Sequence, residues 1–320
     1  MASHYLEFER PIAELEAKIE ELSRLAATTG SGEMDVEIST LRERAGAMRT
    51  EAYSKLDAWQ KTQVARHPER PHFVDYAKGL IEEFVELHGD RKFADDQAIM
   101  GGLGRFRGRP VVVIGNEKGR DTATRVKHNF GYARPEGYRK AVRLLELAER
   151  FHLPVISIVD TTAAYPGVGS EERGVAEAIA RSTEKCLMLQ VPMVAVVTGE
   201  GGSGGALGIA CGNRVLILEH ATYSVIPPEG ANSILWRGTR TPEEAAKALK
   251  ITAQDLLKMK IVDRIVPEPP GGAHADPIAM ITAVGDALEQ ELDSLEKMSV
   301  EALLKQRSER FYAIGRSGLS

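Results

Sequence analysis

The chain has 320 residues, 43% of them hydrophobic, enough for a substantial core and for one large domain with additions or two domains. A formal net charge of -5 and a pI near 6.0 argue against a general nucleic-acid binder, whose footprint is strongly basic. No apolar run approaches the roughly 18 residues that span a bilayer, and the acidic start "MASHYLEFERPIAELEAKIEEL" has neither an apolar signal core nor an Arg-rich, acid-poor transit pattern. A cytoplasmic location is expected.

In chain order, Ile12, Leu15, Ile19 and Leu22 follow the spacing of one helix face. After the "TTGSGEMD" break, Ile38, Leu41, Ala45, Met48, Ala52, Leu56 and Trp59 predict a second helix. Residues 1–70 therefore read as an antiparallel helical hairpin. Its apolar stripes are narrow and its other faces charged, so it docks on something larger, as a solvated appendage or a subunit contact.

From "HPERPHF" onward a repeat emerges. "RPVVVIGNEKG" (109–119), "LPVISIVDTTAAYPG" (153–167) and "VPMVAVVTGEGGSGG" (191–205) each run from a proline into a β-branched strand and then a polar, Gly-bearing loop. Pro110, Pro154 and Pro192 are spaced by 44 and 38 residues, about one strand-loop-helix unit whose crossover returns to the same sheet. Near-continuous Val and Ile runs predict strands buried on both faces. "RVLILE" (214–219) is a fourth strand. An α/β domain over 71–270 then delivers its loops to one sheet edge, where ligands of such sheets sit. Ile278, Ile281, Val284, Leu288, Leu292 and Leu295 make 271–320 a C-terminal helical segment, helical from Pro277 to about Tyr312. Cys186 and Cys211 are the only cysteines and fall outside any CxxC spacing, so both read as buried thiols, with no metal site.

"VTGEGGSGGALGIACG" (197–212) satisfies two signatures at once. Gly199, Gly201 and Gly204 spell a dinucleotide fingerprint, with Glu219 as the ribose carboxylate; Gly201, Ser203 and Gly205 spell a hydrolase elbow, which needs Asp255 or Asp263 and His274 to activate Ser203. A third reading needs only backbone: Gly204 and Gly205 at a helix N-terminus offer N–H groups to an oxygen that gains negative charge. A tight turn that merely packs helix on strand is the bland alternative.

"EKGRDTATRVKHNFG", "PEGYRKAVRLLELAERF", "AYPGVGSEERG", "GEGGSGGALGIACG" and "PPEGANSILW", in this order, resemble the α subunits of bacterial-type acetyl-CoA carboxylase carboxyltransferase, in the crotonase-like superfamily. The resemblance covers essentially the whole chain. It implies a ClpP/crotonase-type α/β core that moves a carboxyl group from carboxybiotin to acetyl-CoA, forming malonyl-CoA for fatty acid biosynthesis. The implied partners are a β subunit, in an α2β2 assembly, the biotin carboxyl carrier protein and biotin carboxylase. Gly204 and Gly205 would hold the ureido oxygen of biotin, with Gly202, Ser203, Tyr165, Pro166 and Gly167 around it; biotin itself takes the methyl proton of acetyl-CoA, so no enzyme base is required. The family's zinc ribbon belongs to the β subunit, and no metal is expected in this chain. Where the family has Asp-Thr-Pro-Gly-Ala-Tyr-Pro-Gly, this chain reads "DTTAAYPG": Thr162 and Ala163 replace Pro-Gly, which predicts a loop of different backbone or stiffness.

The segment from Arg105 to Arg150 holds twelve Lys or Arg against five Asp or Glu, an excess that suggests an anionic ligand or partner, such as CoA phosphates, the carrier protein or the β subunit, although the solvated face of the amphipathic helix "YRKAVRLLELAERF" explains part of it. The rival class is an acyl-CoA hydratase or isomerase on the same scaffold, for which Glu200 and Glu229 are the candidate acids or bases.

Overall fold

A computed structural model describes residues 4–29 and 32–316; Gly30 and Ser31 of the expected interhelical break lie outside them. Helices α1 (Arg10–Thr29) and α2 (Gly32–Ser54) form the hairpin, with a small core of their own in which Ile19 meets Ile38 and Ala45. The second helix was expected to reach Trp59. It stops at Ser54 and α3 (Ala58–Ala65) starts afresh, because Asp57 caps it: the Asp57 carboxylate accepts from Gln60 N at 2.8 Å and Gln60 Oε1 accepts from Asp57 N at 3.0 Å.

The domain that follows runs α4 (Phe73–Leu80), β1 (Ile81–Glu86), β2 (Ile99–Phe106), β3 (Arg109–Asn116), α5 (Thr122–Lys127), α6 (Pro135–Arg150), β4 (Val155–Thr161), α7 (Val168–Glu172), α8 (Val175–Met188), β5 (Met193–Gly202), α9 (Ser203–Ala210), β6 (Arg214–Leu218), β7 (Thr222–Ser224), α10 (Pro228–Trp236), α11 (Pro242–Leu249), α12 (Ala253–Lys258) and β8 (Arg264–Val266). One sheet takes the order β1-β2-β3-β4-β5-β6-β8, with β7 beside the end of β5. From β3 onward the pairs are parallel, as the repeat predicts; β1 and β2 add an antiparallel edge. Every residue of β4 and β5 is buried, so both sheet faces are covered. Helices α6, α8 and α9 pack together on the sheet as one group, and α3, α4 and α13 (Pro277–Leu295) pack on it as another.

The C-terminal segment is two helices, α13 and α14 (Val300–Ala313), parted where Ser299 caps α14 by accepting from Ala302 N at 3.2 Å. The buried Arg307 guanidinium fastens α14 by donating to the carbonyls of Leu187, Leu189 and Val191 and to Asn213 Oδ1. Cys186 and Cys211 are buried free thiols, and burial pushes the Cys211 pKa up to about 11. Among the described residues no helix is long and apolar enough to cross a membrane.

The basic excess between Arg105 and Arg150 is largely neutralised from elsewhere in the chain. Arg105 pairs with Glu83, Arg107 with Asp286 and Glu289, Arg109 with Asp293 and Glu296, Arg120 with Asp75, Arg139 with Asp90, and Lys140 with Asp95. Most of the charge that suggested an anionic ligand therefore belongs to the fold.

Candidate active site

The glycine-rich run is the end of a strand followed directly by a helix, not the expected loop. Glu200, Gly201 and Gly202 pair with Thr222, Tyr223 and Ser224 of β7, and the helix begins at the next residue. Its glycines make room for close neighbours: a Cβ on Gly199 would lie 2.4 Å from the Asp160 carboxylate, one on Gly201 2.7 Å from the Tyr223 ring, and one on Gly202 1.7 Å from the Thr162 carbonyl oxygen. A dinucleotide fingerprint needs an open turn at this point. Glu219, its expected ribose ligand, accepts instead from Glu268 N at 3.1 Å.

Ser203 opens α9 with φ 53°, in the left-handed region, where a side chain costs on the order of 1 kcal/mol. Gly204 and Gly205 follow as the second and third helical residues, whose N–H groups have no partner within the helix and sit at the positive end of its dipole. The glycine at 205 is required by packing, since its Cβ would lie 2.6 Å from both Ala163 C and Ala164 N; at 204 a Cβ would meet only Ile179, at 3.5 Å. The loop after β4 is thus pressed against the start of α9. Ser203 and Gly204 line a cavity of about 310 Å³ whose walls are mostly apolar, among them Leu207, Tyr223, Phe311 and Ile314.

No catalytic triad assembles at Ser203. Among the described residues no histidine lines its cavity. His274 instead stacks on His67, with ring centroids 3.7 Å apart, and burial, helped by His67 and Arg70, pulls its pKa down to about 3. Asp255 is occupied at the cap of α12 with Thr252, and Asp263 binds Val215 N and Arg310. Tyr165, Pro166 and Gly167 lie just beyond the pressed loop. The Tyr165 ring packs beneath the Arg134 guanidinium at 4.6 Å and against Gly167, and Gly167 opens α7; none of the three lines the cavity beside Gly204.

Behind Gly202 lies a charged cluster that sequence reasoning missed. Lys118 Nζ reaches Asp160 Oδ1 at 2.6 Å and Glu200 Oε1 at 3.4 Å; Arg66 Nε donates to Glu200 Oε2 at 2.8 Å while its Nη1 donates to Glu229 at 2.6 Å. Burial alone would raise the Glu200 pKa, but Lys118 and Arg66 outweigh it and hold the group below its ordinary value. Burial opposes Arg66 at Glu229 with the same result. A carboxylate tied to cations in this way is a poor proton donor and a weak base, so the two candidates for hydratase chemistry are committed to structure. Close by, Arg70 binds Glu268 through two 2.8 Å bonds and donates to Thr198 O at 2.7 Å, fixing the segment that carries Arg66 to β5. Lys118, Asp160 and Glu200 lie at or just after the C-terminal ends of three adjacent parallel strands, which was the available signal for their meeting; Glu200 and Glu229 were singled out only as candidate acids or bases, and Arg66 gave no signal.

A mainly parallel eight-stranded sheet carries this glycine-rich helix start, neither the triad nor the dinucleotide reading assembles there, and the family model that matches the chain defines its class as carboxyltransferase-like. The family model described as "Acetyl co-enzyme A carboxylase carboxyltransferase-like" matches residues 5–315. The acetyl-coenzyme A carboxylase carboxyl transferase subunit alpha of Phenylobacterium zucineum is 76% identical over 319 residues, and that of Caulobacter vibrioides 70% identical over 319, each covering 100% of both chains. In fold, the chain is similar to transcarboxylase 12S solved with methylmalonyl-coenzyme A and methylmalonic acid, at TM-score 0.56 and 18% identity over 69% of this chain and 42% of that one. The chain belongs to the acetyl-CoA carboxylase carboxyltransferase family, among its alpha subunits.

Proposed function

We propose that this chain supplies the biotin side of a carboxyltransferase that moves a carboxyl group to acetyl-CoA, yielding malonyl-CoA for fatty acid biosynthesis in the cytoplasm. Its partners in this reading are a non-identical β subunit, in an α2β2 assembly, the biotin carboxyl carrier protein and biotin carboxylase. The observation that carries the reading is the start of α9: two successive glycine N–H groups without helical partners, beside an apolar cavity, on an α/β scaffold of this family. Biotin, arriving on its carrier, brings the carboxyl group. Gly204 and Gly205 N–H would hold its ureido oxygen, Gly202 and Ser203 shape the approach, the apolar cavity beside Gly204 suits its hydrocarbon part, and the loop of Tyr165, Pro166 and Gly167 forms the adjacent wall. Donors aimed at an oxygen that gains charge during transfer favour the transition state over the ground state, by about 2.7–4 kcal/mol per donor in measured cases.

The reaction must stabilise two anions, one on biotin and one on the thioester, and among the described residues one helix starts with such a glycine pair, so a second subunit supplies the site for the other. The hairpin of residues 1–70 serves as a subunit contact, 71–270 as the carboxyltransferase domain and 271–320 as a C-terminal helical segment closing the cavity. The test is carboxyl transfer from malonyl-CoA to biocytin, followed as acetyl-CoA released, before and after adding the β subunit. Turnover is expected only in the mixture; full activity from the isolated chain, or a silent mixture that has assembled, overturns the proposal.

A further inference from the structure

The loop of Thr162 and Ala163 presses directly on Gly202 and Gly205, so whatever stiffens it bears on where the start of α9 sits. The Thr162 carbonyl oxygen occupies the space a Gly202 side chain would need, and the Ala163–Ala164 peptide does the same for Gly205. On one side the loop is tied by Thr161 Oγ1, which donates to Gly131 O at 2.7 Å. On the other it is tied by Tyr165 N, which donates to Ala133 O at 2.9 Å. Both ties run toward the segment before α6. The bond that reaches β5 from between them is Thr162 Oγ1 donating to Glu200 Oε1 at 3.1 Å.

That acceptor is itself immobilised. Glu200 is clasped by Lys118 and Arg66, and its own N–H donates to Asp160 Oδ1 at 2.9 Å, the atom that Lys118 also holds. A hydroxyl bonded to a fixed, ionised carboxylate makes a stronger tie than one between neutral groups. Proline at this position would restrict the loop through its ring but could donate no such bond.

We propose, on the carboxyltransferase reading above, that Thr162 is a positioning residue: its hydroxyl, bound to Glu200, locks the loop after β4 against Gly202 and Gly205 and so fixes the oxyanion donors, in place of the ring constraint that proline would give. Thr162→Val removes the donor with little change of shape, and Thr162→Ser restores it. In the complex with the β subunit, Thr162→Val should lower kcat for transfer from malonyl-CoA to biocytin by about tenfold, at unchanged KM and assembly, with Thr162→Ser within about threefold of the parent. Hydrogen exchange of residues 161–166 in the chain itself reads the lock without activity: valine should speed it by roughly tenfold and serine should not. Valine and serine falling together, valine turning over at the parent rate, or exchange rising with no loss of kcat would each overturn the assignment. A parent complex that assembles yet is idle while exchange still separates valine from serine sinks the carboxyltransferase reading and leaves the lock standing as a purely structural bond, which also overturns the positioning role.

Discussion

Alanine at Gly204 and alanine at Gly205 differ by one position and by what the new methyl meets. At 204 it would touch Ile179 Cγ2 and Cδ1 at 3.5 and 3.6 Å, ordinary contact; at 205 it would lie 2.6 Å from Ala163 C and from Ala164 N, which are backbone and cannot rotate away. Neither glycine has a positive φ, so alanine suits the helix at both and reduces the freedom of the unfolded chain by about 0.4–1 kcal/mol. Gly204→Ala is therefore expected to be neutral or to stabilise by up to about 1 kcal/mol. Gly205→Ala must push the 162–164 loop outward; overpacking of this kind costs about 1–3 kcal/mol, so the net change runs from about zero to a loss of about 2.6 kcal/mol.

Both variants keep their N–H groups, so their activities separate donor placement from donor number. Gly204→Ala should retain kcat within about threefold, while Gly205→Ala should lose at least about tenfold, because a donor shifted by a fraction of an ångström no longer meets its oxygen squarely. Urea unfolding of the chain gives the stability term, sedimentation with the β subunit gives assembly, and transfer from malonyl-CoA to biocytin gives kcat. Parent-like turnover by an assembled Gly205→Ala complex would refute the reasoning, as would equal losses at the two positions.

Ser203→Ala should keep turnover within about tenfold, since only backbone donors are engaged; a loss near 10⁴ would mark a removed nucleophile and revive the hydrolase reading. His274 gives a pH dependence of known sign. Its folded pKa, drawn down to about 3 by burial and by His67 and Arg70, lies below the ordinary 6.5, so the unfolded chain binds more protons between those values and stability is lost as pH falls through that window. A His274→Phe variant, which can keep the stack on His67, should show a shallower fall in unfolding midpoint between about pH 6.5 and 4.5, and identical slopes would count against it.

The parallel core was legible because each of β3, β4 and β5 announces itself by a proline and a near-continuous Val/Ile run, and because a buried strand leaves no room for alternation. The edge strands were not. In β2 the glycines at 101, 102 and 104 look like a turn, yet a Cβ on Gly102 would lie 2.0 Å from Val85 O, so that glycine makes room for the irregularly paired neighbouring strand β1. Gly199 and Gly201 of the apparent fingerprint misled for the same reason: what each accommodates, Asp160 or Tyr223, is some 20 to 40 residues distant in the sequence and adjacent only once the strands pair.

Charge was misread by the same logic. Counting Lys and Arg from 105 to 150 treats neighbours in sequence as neighbours in space, whereas Arg107 and Arg109 find their carboxylates on α13, nearly two hundred residues later. Position in the repeat is the better guide. Parallel strands in register set equivalent residues side by side, as Val112, Val155 and Met193 are set across β3, β4 and β5. Charged residues near the C-terminal ends of neighbouring strands are thereby brought within reach of one another. Lys118 just after β3, Asp160 in the last residues of β4 and Glu200 in those of β5 meet there, one cation bridging two carboxylates, and the contact that ties them to the loop after β4 is the hydroxyl of Thr162.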